Sequence, residues 1–116
     1  MGTSQVDFGA DQEVSSTFSL AAEVDVTGVL LPENWTDAPV GFEAGFSDGT
    51  WATIRDEGGA QLLVEFQPPR REGMGNFLPV HFPVAHGALV RLTSGPMIGM
   101  ISQLEDVTVT IFWRKA

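Results

Sequence analysis

The chain has 116 residues, with 15 carboxylates, 6 Lys or Arg and no cysteine. That is enough sequence for one domain, without disulfides, thiolate metal sites or a thiol nucleophile. A formal net charge of −9 disfavours nucleic acid as a partner, since phosphate binding needs clustered Lys and Arg. No apolar run approaches the ~20 residues of a membrane span, and the first residues lack the basic-then-apolar pattern of a secretory signal, so no membrane contact is expected.

Residues 1–13 are polar, acidic and aperiodic, with only Val6 and Phe8 to bury, which predicts a flexible arm ahead of a domain over 14–116. From Thr17 the pattern sharpens. Phe18, Leu20, Ala22, Val24 and Val26 alternate with polar or small residues, predicting one long half-buried strand, because successive strand side chains point to opposite faces. Val29 to Leu31 continues it as far as Pro32, which cannot donate to a ladder.

A second alternation places Val40, Phe42, Ala44 and Phe46 on one face. Ser47-Asp48-Gly49-Thr50 then turns the chain, Asp-Gly supplying the positive φ of a hairpin loop. Trp51 opens the next strand, and Asp56-Glu57-Gly58-Gly59 ends it in another turn. Gln61 to Phe66 predicts a further strand; Val80 to Phe82 predicts a short edge pairing between Pro79 and Pro83. Leu89 to Thr93 and Val107 to Trp113 complete the set. Nowhere does a helical repeat persist beyond a turn. Seven or eight short strands with turns at this spacing predict an all-β, two-sheet antiparallel sandwich of jelly-roll type.

Catalytic chemistry finds little support. The two histidines, His81 and His86, lie in a proline-bearing segment where structural roles are expected, and no metal or cofactor site is legible. Carboxylates sit mostly in turns beside Gly, Asn or Ser, where solvation and capping account for them. Trp35, Trp51 and Trp113 each have a structural use as core or lid, with Trp35 and Trp51 the alternative candidates for stacking on a sugar. The two long connections are better candidates. Met97, Ile98, Met100 and Ile101 place four apolar side chains in a Gly-flanked loop, either tucked under the sandwich or buried against another chain. Arg70 and Arg71 follow Pro68-Pro69 in the other, and arginines of this kind make bidentate contacts to carboxylates on a partner or a neighbouring copy. Charge is uneven: residues 1–65 hold twelve carboxylates against Arg55, whereas 66–116 hold three against five cations. The imbalance serves solubility or steers a protein–protein contact.

The stretch Leu31-Pro32-Glu33-Asn34-Trp35-Thr36-Asp37-Ala38, then Phe42, Ser47-Asp48-Gly49-Thr50-Trp51 and Gly59, with Ser94-Gly95 and Gln103, Glu105 and Asp106 further on, resembles small β-sandwich virion proteins of tailed bacteriophages and prophages. The Ser-Asp-Gly-Thr-Trp element also looks like the hairpin of galactose-binding-like sandwiches. The likeness spans about residues 17–113. It implies a non-enzymatic capsid decoration (cement) protein without cofactor, oligomeric and by that resemblance a trimer, located in the virion. Its partner would be the major capsid protein or another virion protein. The chain departs from that pattern at the two long loops, so Arg70, Arg71, Met97, Ile98, Met100 and Ile101 are contact candidates on their own chemistry. A carbohydrate- or receptor-binding module using Trp35 or Trp51 is the rival expectation, and a tail or baseplate accessory domain shares the same fold.

Overall fold

The alternating segments become nine strands in the computed structural model, which describes residues 2–19, 23–46, 49–65, 75–85 and 88–115. They are β1 (Gly2–Phe8), β2 (Val14–Ser19), β3 (Val24–Leu31), β4 (Val40–Gly45), β5 (Trp51–Thr53), β6 (Leu63–Val64), β7 (Asn76–Val84), β8 (Leu89–Ser94) and β9 (Val107–Lys115). One sheet has the order β1-β9-β3-β7. The other runs β2-β8-β4-β5, with the two-residue β6 also paired to β4. All pairings are antiparallel.

With β6 set aside, the pairing is nested: β1 with β9, β2 with β8, β3 with β7, β4 with β5. One long folded-over ribbon, rolled so that its strands alternate between two sheets, gives this order, which is the jelly-roll winding. The inner faces meet over Val6, Phe8, Phe18, Val24, Val26, Val29, Leu31, Val40, Phe42, Phe82, Val90, Leu92, Val107, Val109 and Ile111, all buried.

Residues 2–8, expected to belong to a free arm, form β1 instead. Val6 and Phe8 are fully buried opposite Val109 and Val107. Their spacing of two puts both on the inner face, while Thr3, Gln5 and Asp7 take the outer one. Thr108 Oγ1 donates to Asp7 Oδ1 at 2.7 Å on that outer side.

The single long strand expected from Thr17 to Val26 is also corrected. It is two strands, β2 and β3, in opposite sheets; Leu20 to Ala22 lie outside the described residues. Phe18, Val24 and Val26 all face the same core from its two sides, so the alternation keeps its phase across the crossover.

Within β3 the inward row shifts from Val24 and Val26 to Val29 and Leu31. Pairing to β9 passes from Val26↔Trp113 to Gly28↔Phe112, leaving Thr27 as the extra residue of a bulge. β7 is longer than the brief pairing expected and includes both Pro79 and Pro83. It is an edge strand, where a residue without an N–H is tolerated. The expected strand from Gln61 to Phe66 is reduced to Leu63–Val64, with Phe66 outside the described residues. Gly49 takes φ +86°, as its turn requires. Phe46, expected on the inward row, lies beyond the end of β4 and is 54% exposed, and its N–H donates to Thr50 O across the turn.

One end of the sandwich is closed by a polar residue. Gln103 is fully buried. Its Oε1 accepts from Thr36 N at 2.9 Å, and its Nε2 donates to Ser94 Oγ at 2.8 Å. Its backbone N–H donates to Gln12 O at 3.0 Å, and its carbonyl accepts from Asp11 N at 2.7 Å. Asp11 takes φ +67°, the one positive φ outside glycine among the described residues. Four segments of the chain therefore meet at one amide side chain and its backbone.

Two outcomes follow from this architecture. Deleting residues 2–8 removes Phe8 and Val6 from the core and costs more than about 5 kcal/mol, since Phe→Ala alone costs about 3–5 kcal/mol at a buried site. The truncated chain should show no cooperative melt by circular dichroism; an unchanged melt would mean that β1 is dispensable. Gln103→Leu should lower stability by roughly 2–4 kcal/mol, because Thr36 N and Ser94 Oγ are left unsatisfied out of water. A denaturant titration reads this, and a change below ~1 kcal/mol would mean that water replaces the amide.

Candidate interaction surface

The loop from Gly95 to Asp106 joins β8 to β9 and carries the four apolar residues singled out in the sequence. Gly95 has φ +94°, and a Cβ there would stand 3.0 Å from Ile101 N and 3.1 Å from Met100 Cα. Only glycine fits this turn. Gly95 N donates to Pro39 O at 2.7 Å and Ile101 N donates to Ser94 O at 2.9 Å, so both limbs are tied to the strand ends.

The tip is tied as well. Met97 N donates to Gln61 Oε1 at 2.8 Å, and Thr53 Oγ1 lies 3.4 Å from Met97 Sδ as donor. Thr53 stands on the outer face of its sheet, opposite Glu43, so the loop folds back onto that face. Thr93 and Gly41 face outward by register, yet both are buried beneath this return through Gln61.

With the loop held in place, its apolar side chains divide. Met100 is half-buried. Met97 and Ile101 are exposed, and Ile98 is 85% exposed at the tip. Met97, Ile98 and Ile101 are displayed, outside the core. Leu104, which the sequence reading passed over, is 76% exposed further along the same loop. Its backbone N–H is held by Thr36 Oγ1 at 3.1 Å. Its signal in sequence is a single apolar residue among Ser, Gln and carboxylates, too little to separate from an ordinary surface leucine. Arg70 and Arg71, the other interface candidates, lie outside the described residues.

Trp35 is not a stacking platform. It is 1% exposed, its ring meets Phe8 edge-on at 5.2 Å, and Nε1 donates to Ala38 O at 3.0 Å. A buried indole with its polar tip satisfied is a core lid. Trp51 is half-buried on the outer face of the β2-β8-β4-β5 sheet. Its ring lies across Gly45, where a Cβ would meet it at 2.9 Å, and the Arg91 guanidinium stands 3.8 Å from the ring centroid. Arg91 Nε also donates to Glu43 Oε1 at 2.7 Å, and both side chains are largely shielded from water. This three-residue stack occupies the surface on which a sugar would have to lie. Trp113 ends the inward row of β9, packs against the core and donates from Nε1 to Ser4 Oγ at 3.2 Å.

His81 is exposed, 3.8 Å from Asp25, and His86 lies outside the described residues. Among the described residues no group of three or more His, Cys, Asp or Glu is placed to hold a metal ion. Two concavities deserve description. An open cleft of about 620 Å³ separates β6 from β7, between Leu62, Val64, Leu78 and Val80. An apolar recess of about 360 Å³ lies beside Phe46, backed by Phe82, Val84 and Val90. The cleft also has Glu65, Asn76 and His81 in its lining, whereas the recess is apolar apart from Arg55. No protein-family profile, curated protein or solved structure matches this chain.

Proposed function

We propose that this protein is a structural, non-enzymatic β-sandwich that acts through protein–protein contacts, decorating or cementing a bacteriophage capsid as a small oligomer. One observation carries the contact function: Ile98 is 85% exposed on a loop hydrogen-bonded at both limbs and at its tip. A rigidly presented apolar side chain gains nothing in water, and on binding it forfeits little conformational entropy. The virion setting rests on the resemblance of the Pro-x-x-Trp turn and the Ser-Asp-Gly-Thr-Trp hairpin to phage sandwich proteins. Jelly-roll winding, which recurs in viral capsid and lectin domains, supports it as analogy of fold. A trimer is the form that resemblance implies, and a tail or baseplate position would use the same contact surface.

The rival, a carbohydrate-binding module, has to use Trp51, since Trp35 is in the core. There the Arg91 guanidinium competes for the ring. A glycan-array signal lost in a folded Trp51→Ala variant would move the reading to this rival.

The test begins with mass spectrometry of particles produced from the genome that encodes the chain, which should detect it as a stoichiometric component. Particles lacking it should then bind added protein. Ile98→Asp should weaken that binding by about thirtyfold or more, the loss expected of a central apolar anchor, while leaving the circular dichroism spectrum unchanged. Loss of the β-sheet signal would place Ile98 in the fold, and undiminished binding would remove it from the interface.

A further inference from the structure

Three loops build the end of the sandwich that Gln103 closes: residues 9–13, 32–39 and 95–106. None of them contains a Lys, Arg or His. Asp11, Glu13, Glu105 and Asp106 are all exposed there, and hydrogen bonds hold the loops that carry them together. Ala10 N donates to Asp106 Oδ1 at 2.8 Å, Asn34 Nδ2 donates to Glu105 Oε2 at 3.0 Å, and Ser94 N donates to Glu13 O at 2.8 Å. The same loop 95–106 carries the exposed side chains of Ile98, at the tip that folds back over the sheet face, and of Ile101 and Leu104 closer in sequence to Gln103. Apolar side chains among the carboxylates of loops that hold no cation of their own make a surface that water solvates well in its charged part and poorly in its apolar part.

We infer that this end docks on a basic surface of the shell protein, an apolar recess bordered by Lys or Arg side chains. The inference rests on the decoration reading above and adds the chemistry of the partner. Charge complementarity selects that partner over the alternatives. A second copy meeting this end across a two-fold axis sets the same four carboxylates against each other, and nucleic acid brings phosphates to them. Opposite charge around an apolar anchor speeds encounter and fixes orientation, while the anchor supplies residence time.

The experiment adds purified protein back to particles that lack it and measures binding at low and high salt. Wild-type affinity should fall roughly tenfold between about 0.05 and 0.5 M salt, as screening removes the attraction. The variant Asp11→Asn, Glu13→Gln, Glu105→Gln keeps each side chain's size, and asparagine tolerates the positive φ at position 11. It should bind roughly tenfold more weakly at low salt and lose most of the salt dependence. Leu104→Gln leaves the charge unchanged and should weaken binding about equally at both salt levels. Salt-insensitive wild-type binding, or a neutralised variant that binds as tightly as wild type, overturns the inference and leaves the decoration reading standing if Ile98→Asp still fails to bind. Absence of wild-type binding at any salt overturns both.

Discussion

The amide of Gln103 is the constraint on which the rest of this molecule depends. It sits where the inner faces of both sheets end, beside Ser94 at the close of β8 and Thr36 in the turn before β4. An apolar side chain of similar size would fill the same space, but it would leave Thr36 N and Ser94 Oγ without partners. Because the backbone of Gln103 also holds Gln12 and Asp11, the connection from β1 to β2 is fixed by the same residue. Trp35 is thereby seated over Phe8. The loop carrying Ile98 leaves the sheet from a fixed point at Gly95. Core, lid and displayed loop share one anchor.

Most of the strands were legible because they obey period two and are bounded by turn residues. β4, β8 and β9 follow that rule, and Gly49 marks its turn by the φ that only glycine takes easily. The misses have physical causes. Composition argued for a free arm, although the two-residue spacing of Val6 and Phe8 already described a strand with one buried face. The break between β2 and β3 left no mark in the alternation, because the buried Phe18 before it and the buried Val24 and Val26 after it all fall on even positions. The apolar content of the Met97 loop was visible, but its placement was not. Whether it tucks in or stands out is decided by Gln61 and Thr53, residues from other segments. Gln103 has no periodic signature at all: a buried polar side chain is identified only by the partners that folding brings to it.

Charge is arranged in space differently from its arrangement along the chain. The first half of the sequence is acidic and the second relatively basic, yet the fold does not separate the halves. Asp11 and Glu13 from the first half lie with Glu105 and Asp106 from the second, at one end of the sandwich. Arg114 and Lys115 sit at the far end of β9, opposite Asp25 and Val24. The Arg91–Glu43 pair over Trp51 is neutral as a unit and rigid, since ring stacking and a short charge-assisted hydrogen bond fix the guanidinium together. The described residues therefore include an acidic end with apolar side chains, a compensated pair on one sheet face and a mixed opposite end.

Nested pairing also determines how this chain reaches its folded state. Among the described strands, only β4 and β5 are both paired and consecutive in sequence. Each further pair, β3 with β7, β2 with β8 and β1 with β9, encloses everything already formed inside it. The outer pairs join segments far apart in sequence, so their loop-closure entropy must be met before their contacts form, which makes such topologies slow to fold. Of these nine strands, β9 is made last and is the partner of β1. During translation β1 and β2 are thus exposed edges waiting for β9 and β8, and the sandwich closes only once β9 has left the ribosome.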